Sequence, residues 1–216
     1  MKQDHIVILH GIFRSSKHMR KLASFLETQG YYVHNLDYPS TRNDLETLTD
    51  DLITQLKTRL PTDQRVHFIG YSMGGLLVRT ILARYRPVHL GQVIQLAPPN
   101  HGSEVANFLR RFWLYKKLYG PAGQQLITDQ SAIQPLFGPI DFPLGILAGT
   151  SSLDPFSSWC LLPGRNDGKV TVDSTKLNGM TAHHLIPATH TFFPQNRQVH
   201  RLTLHFLQHQ CFGEVG

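Results

Sequence analysis

One serine in this chain stands between glycines at a spacing suited to nucleophilic chemistry. Val66-His67-Phe68-Ile69-Gly70-Tyr71-Ser72-Met73-Gly74-Gly75 passes from an apolar run through G-x-S-x-G into Leu76-Leu77-Val78. That pattern reads as a strand, a sharp turn and a helix. The turn is so tight that a Cβ at Gly70 or Gly74 would collide with the neighbouring strand or helix, which favours glycine at both positions. Ser72 is thereby lifted clear of the sheet to a helix N-terminus, where unpaired amides and the positive dipole end favour an anion forming close by. A glycine-rich turn selected only for close packing shows the same local pattern but has no partners for its serine elsewhere. The rest of the chain therefore decides between the two readings.

A hydroxyl becomes a useful nucleophile when a base takes its proton, and an imidazole base needs a carboxylate to hold its tautomer and stabilise its charged form. His190, in Ala188-Thr189-His190-Thr191 just past the last predicted strand, is the expected base. His183 and His184 fall within that strand and His200, His205 and His209 on the final helix, all worse placed to reach a strand tip. Two aspartates follow the preceding strand. Asp154 stands before Pro155 and reads as a turn opener. Asp167, in Asn166-Asp167-Gly168-Lys169, is the preferred acid because Gly168 lets a carboxylate project from the loop. Asp173 is read as a cap for the turn that includes Ser174. The oxyanion formed on a carbonyl under attack needs two amide donors, expected from Met73 and Ile12. Gly11 lets the loop fold back to aim the Ile12 amide, and His10 is read as its brace.

Those residues must be positioned by regular elements. Ile6-Val7-Ile8-Leu9 is a continuous apolar run, as in a strand buried on both faces of a parallel sheet. A helix with the apolar stripe Met19, Leu22, Ala23 and Leu26 follows, capped by Ser15 or Ser16 and closed by Gly30. Tyr31 to Tyr38 reads as the next strand. Thr41 and Asp44 precede a helix carrying Leu45, Leu48, Leu52, Leu56 and Leu60, stopped by Pro61. After the serine strand and its helix, further strands are predicted at Gln92 to Ala97, Leu144 to Thr150 and Ala182 to Ala188, then a closing helix through Val199, Leu202 and Phe206. Strict alternation of strand and helix predicts a single domain over residues 1–216. Its architecture is a three-layer α/β/α sandwich with about six mostly parallel strands. Ligands of such sheets bind at the carboxyl ends of the strands, which is where the reactive residues collect.

Composition narrows the function classes. The 216 residues are 41% hydrophobic and 17% charged, as in a globular domain with a sizeable core. The formal net charge is +6, but the basic residues are scattered and no nucleic-acid partner is expected. Thirteen histidines and two cysteines show no metal-ligand spacing, so no metal and no cofactor is expected. The N-terminus enters a strand at Ile6 without room for a signal peptide's apolar segment, which predicts a cytoplasmic protein.

With these residues in hand, the chain resembles the α/β-hydrolase superfamily, and within it the small bacterial lipases and esterases. The resemblance runs from His10-Gly11 through Gly70-Tyr71-Ser72-Met73-Gly74-Gly75 and Leu96-Ala97-Pro98-Pro99-Asn100-His101-Gly102-Ser103 to Asn166-Asp167-Gly168 and His190. The order is serine, acid, histidine, and A-P-x-x-G-S is similar to a segment common among lipases. Two strands of the larger hydrolases are missing at the start. Pro99 stands where such lipases usually have histidine, and no acidic calcium cluster is evident. The resemblance implies a serine hydrolase of carboxylic esters, acting on a small-molecule or lipid ester. The alternatives are a thioesterase or acyltransferase using the same triad, or a non-catalytic binding protein on the same fold.

The interval 101–143 is the one long enough for a lid. Val105, Phe108, Leu109, Phe112 and Tyr119 recur there at helical spacing, with Arg110, Arg111, Lys116 and Lys117 mostly elsewhere around the axis. Such a helix suits either a cover capable of transient membrane-surface contact or an ordinary helix packed on the sheet. As a cover, it would line an acyl pocket with Phe108 and Phe112, alongside Phe13 and Met73.

Overall fold

The computed structural model describes residues 3–109, 113–153, 160 and 162–213, and for residues 109 and 113–118 the backbone alone. Six strands form one sheet: β1 (His5–Leu9), β2 (Tyr32–Leu36), β3 (Val66–Tyr71), β4 (Leu90–Leu96), β5 (Leu144–Gly149) and β6 (Ala182–Ile186). Their order is β2-β1-β3-β4-β5-β6 and every neighbouring pair is parallel. The fold is that of the α/β hydrolases.

The apolar run of β1 is buried from Ile6 to Leu9 because both faces of the sheet are covered. Ile6 and Ile8 pack into one cluster with Met19, Leu22 and Leu26 of α1 (Ser16–Thr28) and Val199, Leu202 and Phe206 of α7 (Arg197–His209). Val7 and Leu9 point the other way, toward Leu48, Leu52 and Leu56 of α2 (Leu45–Arg59) and Leu76, Leu77 and Ile81 of α3 (Met73–Arg84). Each such fully buried side chain contributes about 1.5–3 kcal/mol. The polar strands lie at the two edges. Tyr32, His34 and Asn35 of β2, and His183 and His184 of β6, are only partly buried or exposed.

Helix ends follow local chemistry. The Asp44 side chain caps α2 by accepting from Thr47 N at 2.8 Å, and Asn196 caps α7 by accepting from Gln198 N at 2.7 Å. Ser15 is the first cap of α1 by position, without a side-chain bond. The chain runs from β1 out to β2, then back past β1 to β3. This reversal makes the carboxyl ends of β1 and β3 the switch point where a doubly wound sheet opens a crevice.

Of the aromatic helix expected across Val105 to Tyr119, helix is described over α4 (Glu104–Leu109) and α5 (Trp113–Gln124), and residues 110–112 lie outside the described residues. The second is itself interrupted at Gly120, whose φ of 61° is followed by Pro121. Proline has no amide to continue the ladder, so the helical period of the sequence cannot run on unbroken. A short helix α6 (Val172–Thr175) precedes β6.

Candidate active site

Ser72 sits at the switch point, on the single residue between β3 and α3, with φ 53° and ψ −123°. A non-glycine residue held there stores about 1–3 kcal/mol of strain and persists only when its surroundings over-determine it. Here they do. Its amide donates to Leu96 O at 2.8 Å and its carbonyl accepts from Gly75 N at 2.9 Å. A Cβ at Gly70 would overlap the Gly74 carbonyl, and one at Gly74 would overlap the carbonyl oxygen of Leu9. The collision anticipated from the sequence is therefore with the backbones of α3 and β1.

His190 follows β6 and reaches back across the strand tips. Its Nε2 lies 3.1 Å from Ser72 Oγ and its Nδ1 2.7 Å from Asp167 Oδ2. The Asp167 side chain is 1% exposed. Its other oxygen, Oδ1, accepts from Lys169 N at 3.0 Å and Val170 N at 2.8 Å, so three donors converge on one carboxyl group. With Asp167 Oδ2 accepting from Nδ1, the imidazole presents its Nε2 lone pair to the serine. The backbone ties the pair as well, since His190 N donates to Asp167 O at 3.0 Å.

Two supporting residues escaped the sequence reading. Tyr71 donates its hydroxyl to His190 O at 2.8 Å, and its ring lies 5.3 Å from the imidazole. Burial pushes the Tyr71 phenol far above its ordinary pKa, which keeps it a donor. Gly149, at the end of β5, is needed because a Cβ there would stand 2.6 Å from Ala188 O and 2.7 Å from Asp167 Cβ. The signal for Tyr71 was its place beside the serine; nothing local marked Gly149.

The aspartate alternatives separate. Asp154 lies outside the described residues. Asp173 is exposed and pairs with Lys176 at 2.7 Å. The cap of α6 is Thr171, accepting from Ser174 N at 3.2 Å, and not Asp173, which falls inside the first turn where a side chain cannot reach back as a cap.

The loop after β1 approaches the serine closely. A Cβ at Gly11 would stand 3.2 Å from Ser72 Cβ and 3.1 Å from the Tyr71 ring. His10 is fully buried, its ring stacked on Tyr38 at 4.0 Å, with Nδ1 donating to Gly11 O at 2.8 Å. Tyr38 hydroxyl donates to His10 O. Burial lowers the His10 pKa against the opposing pull of Gly11 and Asp37, so the ring is neutral, as a single-donor brace requires. Arg14 N closes the loop onto Gly11 O at 3.2 Å, with Phe13 at φ 57°. Ile12 faces the serine's cavity, and the Met73 amide opens α3, where no carbonyl of the helix can accept it.

Ser72 and His190 open onto a cavity of about 410 Å³. Ile12, Phe13, Val105, Ala106, Tyr119 and Leu126 form its apolar wall. Phe13 meets Tyr119 edge to face at 4.4 Å. Of the expected pocket residues Phe13 is in place, and Phe112 lies outside the described residues. Phe108 is partly buried but not part of the wall, because α4 turns Val105 and Ala106 toward the cavity instead. Met73 packs fully buried in the core beside α2 rather than in the cleft.

The family model for palmitoyl protein thioesterases matches residues 5–134, more than half of the chain. The chain belongs to the palmitoyl protein thioesterase family. The Gly70–Gly74 turn that carries Ser72 falls inside that match, whereas Asp167 and His190 lie beyond it. Among curated relatives, a triacylglycerol lipase of Pseudomonas fragi is 31% identical over 134 residues, 59% of this chain and 45% of the relative. The human lysosomal thioesterase PPT2 is 29% identical over 136 residues, 56% of this chain and 44% of the relative. The chain thus spans less than half the length of these two relatives. In fold it is similar to the mature Bacillus licheniformis lipase BlEst2, with a TM-score of 0.71 at 21% identity over 96% of this chain and 92% of that one. Family and relatives together set the chain beside lipases and thioesterases in sequence.

Proposed function

We propose that this family member hydrolyses carboxylic esters through an acyl-enzyme formed on Ser72. The observation that carries the reading is the single imidazole joining Ser72 at 3.1 Å and a buried carboxylate at 2.7 Å. His190 Nε2 takes the Ser72 proton as Oγ bonds to the carbonyl carbon, and the Ile12 and Met73 amides hold the oxyanion. Asp167 holds the resulting imidazolium. The tetrahedral centre collapses, the ester C–O bond breaks, and the proton on Nε2 passes to the departing alcohol. Water then attacks the acyl-enzyme with His190 as base again, releasing the acid and restoring Ser72. The apolar wall built by Ile12, Tyr119 and Leu126 suits the acyl chain.

A second reading, hydrolysis of thioesters by the same residues, is favoured by the family match over residues 5–134. A thiol leaves more readily than an alcohol because its pKa is near 8–9, so it depends less on His190 as acid. Ester and thioester of one acyl group, compared under the same conditions, separate the two readings by kcat/KM. A fluorophosphonate probe should label the wild type and not Ser72→Ala, with turnover of the variant down roughly ten-thousandfold or more. Undiminished labelling of Ser72→Ala would exclude both. With nitrophenyl esters of increasing chain length, a sharp rise in rate above the solubility limit would show that the cover responds to an interface.

A further inference from the structure

The segment after β4, Pro98-Pro99-Asn100-His101-Gly102-Ser103, carries the lipase-like motif yet supplies none of the reacting groups. Its Asn100 is 1% exposed, and both ends of the amide are engaged. Oδ1 accepts from Arg79 Nη1 at 3.2 Å, while Nδ2 donates to Gln95 Oε1 at 2.7 Å and to Thr175 O at 2.8 Å. A guanidinium can only donate, so Arg79 fixes which end of the amide is oxygen. Arg79 is itself buried and forms no ion pair with a described residue. Burying such a cation is costly, and what it obtains here is the Asn100 amide and the face of Phe137, whose ring centroid lies 3.8 Å from the guanidinium.

The three partners of Asn100 lead to the elements that carry the nucleophile and the acid. Arg79 lies on α3, which Ser72 opens, and Gln95 Nε2 donates at 2.8 Å to Gly75 O in the first turn of that helix. Thr175 belongs to α6, which follows the turn of the acid. That turn is closed on itself, with Val172 N donating to Arg165 O at 2.8 Å and Asp167 N to Val170 O at 3.2 Å. The neighbours of Asn100 clamp the same stretch: His101 N donates to Ser174 O at 3.0 Å, Ser174 Oγ to Gly102 O, and Ser103 Oγ to Lys169 O at 2.7 Å. Pro99 and Ser103 reach the cavity wall, whereas Asn100 does not. We propose that Asn100 is a positioning residue for Asp167, its amide setting the distance between the serine's helix and the turn that presents the acid to His190. The inference rests on the acyl-enzyme reading and adds to it a residue that acts through the acid without touching substrate.

The test measures the rate constant for labelling of Ser72 by a fluorophosphonate, together with kcat and KM for a short nitrophenyl ester. Asn100→Ala should slow labelling and lower kcat by about tenfold to a hundredfold with KM little changed, as for a small misplacement of a catalytic group. Asn100→Asp should lose as much, because its carboxylate still accepts from Arg79 but has no N–H for Thr175 O. The deciding comparison is made in the Asp167→Asn background. There no carboxylate remains to be positioned, so Asn100→Ala should add little, whereas a general loosening of the fold would multiply the two losses. Ser174→Ala, which removes the bond to Gly102 O, should show a smaller loss with the same dependence on Asp167, and it serves as the test should Asn100→Ala fail to fold. Thr80→Val, which breaks the buried bond to Thr49 from the helix that carries Arg79, should lower the urea midpoint and leave labelling unchanged. Full rates in Asn100→Asp, multiplied losses in the Asp167→Asn background, or an equal loss in Thr80→Val would overturn the proposal. Failure of the underlying reading looks different, with no labelling of Ser72 in the wild type.

Discussion

The rim that carries Ser72, Asp167 and His190 and the segment lying across the cavity from it differ in what holds them. At the rim, main chain meets main chain. Gly70 touches Gly74, Gly74 touches Leu9, Gly149 touches Ala188, and the Asp167 carboxylate is held by two amides of its own loop. The segment of α4, α5 and the residues after them, called the cover below for its place at the cavity, is fastened at chosen points. Gly120 docks on the Thr41 carbonyl, Ala122 N donates to Asn43 O at 3.2 Å, Gln125 accepts from Leu45 N at 2.8 Å, and Ser103 N donates to Leu126 O at 2.9 Å. What the cover offers the cavity is side chains, namely Val105, Ala106, Tyr119 and Leu126. The contrast teaches that reaction geometry here belongs to the backbone of the sheet, while substrate fit belongs to exchangeable side chains.

Substitutions sharpen or break that division. The largest effect is expected at Asp167→Asn, which keeps the shape but offers the wrong partner to His190 Nδ1; kcat should fall roughly ten-thousandfold with little change in KM. A variant that retained substantial turnover would mean another acid serves the imidazole. Next comes Gly74→Ala, whose methyl would enter the Leu9 carbonyl; thermal or urea unfolding should show a loss of about 1–3 kcal/mol, together with loss of activity as the elbow shifts. Unchanged stability would contradict the packed-backbone account of the rim.

Effects on the cover should be smaller and selective. Tyr119→Ala removes one wall of the cavity and the edge-to-face contact with Phe13, so kcat/KM should drop by about tenfold for long acyl esters and much less for acetyl esters. Equal loss on all chain lengths would show that Tyr119 supports the rim rather than the acyl site. The most gradual effect is that of acid. Burial lowers His18, packed against Tyr71, and the edge-strand His34 from the ordinary histidine value of 6.5 to about 4. Below pH 6.5 the unfolded chain takes up protons that the folded chain refuses, so stability should decline as pH falls from 6.5 toward 4 and be level above that window. Urea midpoints measured across that range check the sign, and His18→Gln should flatten part of the slope.

Much of this was legible along the chain because it rests on local rules. Apolar runs closed by glycine or proline marked the central strands, and G-x-S-x-G with its flanks marked the elbow, since steric demands at a tight turn act over a few residues. The aspartate was harder. Asp154, Asp167 and Asp173 all follow the same strand, and only the turn that aims two amides at Asp167 Oδ1 while presenting Oδ2 to His190 distinguishes it. The helical stripe from Val105 to Tyr119 reported which residues share a face, but periodicity is blind to a docking contact such as that of Gly120 on Thr41 just beyond it.

The order of elements, the parallel character of the sheet and the serine on its elbow were determined by sequence alone, through hydrophobic periodicity and the steric limits of the backbone. Tertiary structure decided the partners: which carboxylate meets which imidazole, the Tyr71 hydroxyl under His190, and the room left by Gly149. These pairings join residues far apart in the chain, and their energies depend on distances that no local pattern encodes.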